Sequence, residues 1–311
     1  MNTKLQAALD KLTARYGDRA ADYVEGTAIR REIIYDDYIQ TDTLLSLQKP
    51  LTDFHDEMTF LIYHQQTELW FRLILHELEY GVEALLEEPA NVVVATESAV
   101  RANRQFHFLT DSFDILIDGL STDAFMEFRK AFGTSSGFQS AQFRAIEVLS
   151  GLERLSKDEK SEQFYWERAA RDMNTGEPTL TLIKFKEKHL HWLNTMYENR
   201  KPYSFRLAFD KVLHDKKVSY ADLFTATAPA ELRTLAEELL NLDASIIAWK
   251  RSHLRAAAKH LAKAPRGTGE TNWAEYLNRS LKEEHYFPEL IAARKESETE
   301  EEIEGVTLAD A

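Results

Sequence analysis

Along most of the chain, apolar and polar residues recur at helical spacing, and the longest such stretch runs from His55 to Glu88. Apolar side chains, beginning with Met58, Leu61 and Ile62, return every three or four residues, and the stretch contains no proline. This pattern predicts one long amphipathic helix. Two acidic residues directly follow His55, and a helix start favours negative charge because its free N–H groups carry partial positive charge.

A second face of the same predicted helix carries side chains that could take part in proton transfer or metal binding. Phe60, His64, Thr67, Glu68 and Phe71 follow i, i+4, i+7 spacing, which stacks an aromatic ring against a histidine. A histidine with apolar neighbours is the side chain best able to exchange a proton or bind a metal near neutral pH. The alternative is a core histidine satisfied by hydrogen bonds, and this stretch alone favours that structural interpretation.

A second long helix is predicted from Pro229 to about Ala262. His253 lies on its apolar stripe, four residues after Trp249, and a lone histidine in such a stripe is usually a packed structural residue. Residues 89–119, 180–199 and 273–281 also have helical patterns, whereas Ile29 to Tyr38 is predicted to be a short β-capable segment.

The segment FMEFRKAFGTSSGFQSAQFR, residues 125–144, places two amphipathic helices around a GTSSG turn. Arg129 lies just before that turn, among Phe125, Phe128 and Phe132. An arginine in aromatic surroundings needs an anion, and a carboxylate bound through two parallel hydrogen bonds is the natural one. A structural glutamate or an aromatic stack would satisfy Arg129 equally well, and the residues alone leave these alternatives open.

Composition narrows the classes of function. The chain has no cysteine, which excludes disulfides, thiolate metal ligands, a cysteine nucleophile and covalent haem attachment. The net charge of −14 argues against a nucleic-acid partner. No apolar run approaches the length of a membrane span and the N-terminus has no signal-peptide pattern, so we expect a cytoplasmic protein with no membrane partner.

Six glutamates fall between Glu296 and Glu304, and such a charge run predicts a solvated, disordered tail. We therefore divide the chain into an N-terminal helix and linker at residues 1–30, a helical catalytic domain at 31–292, and an acidic tail at 293–311.

Several blocks together carry a family resemblance: YDDY, TDTLLSLQKPL, HDEMTFLIYHQQTELWFRLILHEL, FRKAFGTSSGFQSAQFRAIE, RGTG and FPEL. In this order, from Tyr35 to Leu290, they resemble the tryptophan 2,3-dioxygenase family. The resemblance implies an all-α fold, a bundle of long helices around a pocket for non-covalent haem b, and a homotetramer. It also implies a reaction in which O2 opens the indole ring of L-tryptophan, or a close analogue, to give N-formylkynurenine.

The resemblance also assigns residues to roles. His253 matches the axial ligand of the haem iron, with His260 as the next candidate, and His64 matches the distal histidine that faces the indole nitrogen. Arg129 matches the arginine that pairs with the substrate carboxylate, and Thr268 the threonine at the substrate ammonium and carboxylate. Further pocket positions match Phe60, Phe125, Ser136 and, from a neighbouring subunit, Tyr35 and Tyr38.

Three departures from the family pattern surround the amino-acid end of the substrate. Phe125 stands where the family has tyrosine, GTGETNW (Gly267 to Trp273) replaces GTGGSSG, and the spacing from His253 to Thr268 is one residue longer. These changes keep two alternatives open. One is a haem monooxygenase acting on an indole or another aromatic amino acid in a biosynthetic pathway. The other is a haem-binding protein without turnover, which would need neither Arg129 nor His64.

Overall fold

The structure is a computed structural model that describes residues 2–30, 32–133, 135–152, 166–167, 170–172, 175–199, 204–225, 227–262, 264, 273–283 and 285–309. Within these ranges the chain is helical and forms no strand, apart from an isolated bridge between Arg171 and Pro178. The predicted all-α class is confirmed. None of the helices in the described part of the chain is long and apolar enough to cross a membrane.

The chain divides into two compact units, Met1–Lys49 and Pro50–Ala311. The first unit contains four helices, none of which has a buried residue. They are α1 (Thr3–Tyr16), α2 (Ala20–Ile29), α3 (Tyr35–Ile39) and α4 (Thr41–Leu45).

The β-capable interpretation of Ile29 to Tyr38 is wrong. Residues from Tyr35 onward form α3, with Asp36 and Asp37 in its first turn, where a helix favours negative charge. The preceding residues have no partner strand within the described ranges. Side chains with β propensity form a strand only when another strand completes their hydrogen bonds.

The second unit contains the remaining helices. They are α5 (His55–Leu86), α6 (Val92–Asp111), α7 (Asp114–Ile117), α8 (Thr122–Phe128), α9 (Ala141–Ser150), α10 (Leu180–Phe185), α11 (His191–Asn199), α12 (Phe205–Lys216), α13 (Ala230–Leu261), α14 (Trp273–Glu283) and α15 (Pro288–Ala309).

The core of the second unit lies between its long helices. Helix α6 packs along both α5 and α13, and α9 crosses α5. Where α5 meets α12, Gly81 lets the helices approach closely: a Cβ added there would lie 2.6 Å from the buried ring of Phe205 and 3.0 Å from Cβ of Ser98. The buried apolar side chains of these helices form one continuous cluster.

The start of α5 is fixed by a buried carboxylate. Glu57 accepts hydrogen bonds from the backbone N–H groups of Leu51 and Thr52, at 2.7 and 2.8 Å. Burial by itself would raise the pKa of Glu57, but these bonds and the Thr52 hydroxyl outweigh it and lower the pKa. The chain therefore enters α5 in a defined direction, one turn before Phe60.

Helix α15 continues through the acidic C-terminal segment to Ala309. Glutamate, lysine and arginine favour helix, and Arg294 binds both Glu298 one turn later (3.0 Å) and Glu237 of α13 (2.5 Å). The first compact unit also ends at Lys49 rather than at residue 30. A division of the chain into functional domains stays a prediction.

Candidate functional site

His64 occupies the third turn of α5 in a defined tautomer. Its Nδ1 lies 2.7 Å from the carbonyl oxygen of Phe60, which can only accept, so Nδ1–H donates and Nε2 is left as an acceptor. Burial lowers the pKa of His64, against the opposing influence of the Phe60 bond and of Glu68. The imidazole is therefore neutral at pH 7 and offers one lone pair.

Phe60 joins His64 to a wall of phenylalanines. Its ring centroid lies 4.0 Å from that of His64 and 5.7, 5.8 and 5.1 Å from those of Phe125, Phe128 and Phe132. The three partners come from α8 and from the 3-10 turn Arg129–Phe132 that follows it. Stacked and edge-on rings at these distances stabilise one another and exclude water from one side of His64.

Arg129 extends this wall with a positive charge. Its guanidinium carbon lies 5.9 Å from the centroid of the Phe125 ring, within the range of a cation–π contact. The side chain is half-buried, and burial lowers the pKa of the guanidinium, which remains charged at any physiological pH. The structure therefore places Phe60, His64, Phe125 and Arg129 in one series of contacts.

His253 lies on α13 between two aromatic side chains, Phe113 at 5.9 Å and Trp249 at 5.6 Å between ring centroids. Burial, together with the nearby His64 and Arg144, lowers the pKa of His253 to about 4. The side chain keeps some accessible surface although protein surrounds it, as expected for a residue that lines a pocket. Neither ring nitrogen of His253 has a hydrogen-bond partner in the described ranges, so a neutral imidazole with a free lone pair faces this space.

An unbroken series of ring contacts connects His253 to His64. Phe113, which touches His253, lies 5.8 Å from the ring of Tyr63, and Tyr63 lies 5.5 Å from the ring of His64. From His64 the series continues through Phe60 to Phe125, beneath the Arg129 guanidinium. Pairwise ring contacts thus connect the two histidines to the arginine within the second unit.

His260 lies two turns after His253, and both of its ring nitrogens form hydrogen bonds. Its Nε2–H donates to the carbonyl oxygen of Leu116 at 2.9 Å, and its Nδ1 accepts from the hydroxyl of Thr122 at 3.1 Å. Neither nitrogen is left for a metal, which removes His260 as an alternative axial ligand. The described residues also contain no group of three or more His, Asp or Glu side chains arranged to hold a metal ion.

A buried ionic cluster lies behind Trp249. The carboxylate of Glu147 on α9 binds Arg144 at 2.6 Å and Lys250 of α13 at 3.1 Å, and Lys250 also donates to the Tyr286 hydroxyl at 2.8 Å. Burial alone would raise the pKa of Glu147, but the two cations outweigh it and lower the pKa. The cluster fixes α9 to the turn of α13 just before His253.

Three of the other predicted site residues lie in the described part of the chain. Ser136 caps the 3-10 turn Gly137–Gln139: its hydroxyl accepts from the Phe138 N–H at 3.3 Å. Tyr35 and Tyr38 lie on α3 in the first unit, with 73% and 80% of their surface exposed. Thr268 falls outside the described residues.

Sequence reasoning missed one residue that shapes the site and undervalued another. Trp249 was visible only as a member of the apolar stripe, although its place one turn before His253 predicts their contact. Phe113 carried no signal at all. It lies in the short break between α6 and α7 and reaches His253 only through the tertiary fold.

Comparison with known proteins identifies one family. A family model described as tryptophan 2,3-dioxygenase matches residues 22–231. A tryptophan 2,3-dioxygenase of Caulobacter vibrioides is 34% identical over 271 residues, covering 85% of this chain and 98% of that protein. Proteins of the same name from Saccharopolyspora erythraea and Bacillus thuringiensis are 31% identical over 277 and 283 residues, each covering 86% of this chain and 94% of the relative.

Proposed function

Because this chain belongs to the tryptophan 2,3-dioxygenase family, we propose that it is a haem-dependent dioxygenase that opens the indole ring of L-tryptophan, or of a close analogue, with O2. The product is of the N-formylkynurenine type. One observation carries the proposal: a continuous series of aromatic contacts links His253, His64 and Arg129. In the proposal, these residues supply a haem ligand, a hydrogen-bond acceptor for an indole and a carboxylate-binding cation.

The residues present fit a non-covalent haem b held by one histidine. An axial imidazole binds iron in its neutral form, and His253 is neutral, with no competing hydrogen bond in the described ranges. The chain has no cysteine to provide a thiolate ligand or covalent attachment. When bound, the haem supplies the O2 chemistry, and the protein supplies position, orientation and a dry site.

His64 orients the substrate in this proposal. Its Nε2 accepts a hydrogen bond from the indole N–H, because Nδ1 already donates to the Phe60 carbonyl. An imidazole with a lowered pKa is a weak base, so orientation rather than proton abstraction is its role. Phe60 packs beside the indole and excludes water.

Arg129 binds the substrate carboxylate, with Thr268 and Ser136 assigned to the same end of the pocket by the family resemblance. The aromatic side chains around Arg129 solvate a cation poorly, so a carboxylate both neutralises and orients the guanidinium. Two anchors, one at each end of the amino acid, then hold the indole in a single orientation, which is the main contribution of a protein to such a reaction.

The proposed enzyme is a homotetramer in which Tyr35 and Tyr38 complete a neighbouring pocket. Two observations support assembly: the helices of the first unit bury none of their own residues, and four apolar side chains of α5 are exposed in the single chain. These are Met58, Ile62, Leu69 and Leu73. Exposed apolar surface of this extent is typical of protein interfaces. Light scattering tests the assembly, and removal of residues before Thr41 should abolish activity together with the tetramer.

The second candidate is a haem monooxygenase acting on an indole or another aromatic amino acid, and Phe125 favours it. A phenylalanine cannot donate the hydroxyl hydrogen bond that the family's tyrosine would give to a carboxylate. Aerobic incubation of reduced, haem-loaded protein with L-tryptophan separates the possibilities. N-formylkynurenine absorbance and a mass gain of two oxygen atoms support the dioxygenase, and one added oxygen supports the monooxygenase. Haem binding without product would overturn both.

A further inference from the structure

We propose that His260 is a positioning residue for the carboxylate end of the pocket: it holds Phe125 in place and, through that ring, the guanidinium of Arg129. The inference rests on the proposed function, in which Arg129 binds the substrate carboxylate. It assigns a role in substrate selectivity to a histidine that touches neither the iron ligand nor the substrate.

His260 joins three helices through one imidazole. It is 5% exposed and belongs to α13, while its two hydrogen-bond partners, Leu116 and Thr122, belong to α7 and α8. A carbonyl oxygen only accepts, so Nε2 carries the proton and Nδ1 receives the Thr122 hydroxyl. Both bonds are made at once by only one tautomer of the neutral ring, which fixes the position of α8 relative to α13.

The same imidazole also contacts the residue that lies under Arg129. The ring centroids of His260 and Phe125 are 5.4 Å apart, and Phe125 follows Thr122 by one turn of α8. Thr122 and Phe125 therefore present neighbouring side chains to His260, one through a hydrogen bond and one through ring contact. The Phe125 ring also lies 5.9 Å from the Arg129 guanidinium carbon.

The phenylalanine at position 125 makes this placement important. Phe125 has no hydroxyl for the carboxylate, so its contribution to binding is the face that it offers to the Arg129 cation. A cation–π contact depends on the position of the ring, and both His260 and Phe60 contact that ring. Loss of His260 removes one of these supports without removing Arg129.

The test compares three ligands in spectral titrations of the haem-loaded ferrous protein. L-tryptophan and indole-3-propionate carry a carboxylate, and 3-methylindole does not. His260→Phe, which keeps a ring but loses both hydrogen bonds, should weaken the two carboxylate ligands by about tenfold. Its affinity for 3-methylindole should change little. His260→Gln retains an N–H donor and an oxygen acceptor and should restore part of the affinity for L-tryptophan.

Two controls keep the outcome decisive. His285→Gln alters a histidine that is bonded to Asp243, away from Phe125, and should leave all three affinities unchanged. If His260→Phe does not fold, Thr122→Val removes one of the two bonds and should give a smaller loss with the same selectivity. Equal weakening of all three ligands, or no weakening of any, would overturn the proposal.

These outcomes are separable from failure of the proposed function. A wild-type protein without haem, or one that binds 3-methylindole as tightly as indole-3-propionate, would contradict the function of Arg129 and of the pocket itself. A wild-type protein that prefers the carboxylate ligands, with the same preference retained in His260→Phe, would contradict only the role of His260.

Discussion

The rings of His64 and Phe60 lie one helical turn apart on α5 with centroids separated by 4.0 Å, and the His64 imidazole is also bonded to the backbone carbonyl of Phe60 at 2.7 Å. The two contacts fix the ring plane and the tautomer together before any ligand binds. The site therefore presents a single hydrogen-bond acceptor, Nε2, in a fixed direction.

His64→Ala should lower the oxidation rate without abolishing it. The indole would still pack beside Phe60 and its carboxylate would still bind Arg129, so only one orienting hydrogen bond is lost. We expect a decrease below roughly a hundredfold, the lower end of what general acid–base catalysis contributes. Steady-state rates with L-tryptophan measure it, with His107→Ala, an exposed position on α6, as the control. Complete loss of turnover at unchanged substrate affinity would instead establish an obligatory proton transfer.

His253→Ala should give folded protein that purifies with little haem. Without the imidazole, the next histidine on α13 cannot replace it, because both nitrogens of His260 are already bonded. Added imidazole should partly restore the Soret band by entering the space left by the side chain. His260→Gln is the matched control and should keep its haem. Retention of full haem with an unchanged electron paramagnetic resonance spectrum in His253→Ala would disprove the ligand assignment.

Arg129→Leu should weaken amino-acid ligands by roughly a hundredfold or more, because loss of one partner of a buried charged pair costs about 3–5 kcal/mol and each 1.4 kcal/mol is about tenfold. An indole without a carboxylate should bind almost as before. The neighbouring Lys130→Leu removes an exposed cation paired with Glu127 at 2.7 Å and should have little effect on either class. Parallel spectral titrations provide the comparison, and a uniform loss across ligands would make Arg129 structural.

The long helices were predictable because their period repeats over many turns. Helix α5 was expected over residues 55–88 and spans His55–Leu86, and α13 was expected from 229 to about 262 and spans Ala230–Leu261. The single helix expected over 89–119 is interrupted after Asp111. There the ring of Phe113 enters the core against Tyr63, and tertiary packing overrides the local pattern.

Some contacts within the site could be predicted from the sequence, and others arise only from the tertiary fold. Phe60 with His64, and Phe125 with Arg129, are four residues apart, so helical spacing alone predicts that they meet. The bonds of His260 to Thr122 and Leu116 join positions 138 and 144 residues apart. No local periodicity contains that information, since it arises only when α7 and α8 pack against α13.

Gly81→Ala should destabilise the protein through overpacking. The added methyl group would lie 2.6 Å from the Phe205 ring, which is fully buried, so the ring or the two helices must shift. Such insertions cost about 1–3 kcal/mol, which lowers Tm by several degrees. Gly26→Ala is the control: nothing lies within 4 Å of its added Cβ, and α2 should gain helix propensity. Thermal unfolding by circular dichroism measures both, and an unchanged Tm in Gly81→Ala would contradict the close approach.

The Glu147 cluster should make stability depend on acidic pH. A carboxyl whose pKa is lowered in the folded protein stabilises it fully above the unfolded-state pKa, near 4.5, and this contribution is lost as pH falls through the folded pKa. Glu147→Gln should cost about 3–5 kcal/mol at neutral pH, because two buried cations lose their carboxylate. It should also flatten the acidic part of the stability curve.

Urea unfolding at a series of pH values tests this dependence. The exposed Glu127→Gln, which leaves Lys130 without its carboxylate, serves as the control and should cost less than about 1 kcal/mol at every pH. If the free energy of unfolding of Glu147→Gln instead changes with acidic pH in parallel with that of the wild type, another group causes the pH dependence of stability.

One helix carrying both His253 and His260 restricts how this protein can change its length. Each residue of an α-helix turns the chain by about 100°, so one insertion or deletion between these histidines would move His260 away from Thr122 and Leu116. Within this helix, we therefore expect a change of length to be tolerated after His260 and not between the two histidines. The extra residue between His253 and Thr268, relative to the family, is consistent with that rule if it falls beyond Leu261, where α13 ends. In related sequences, we expect the loop after α13 to vary in length and the seven-residue spacing between the two histidines to stay the same.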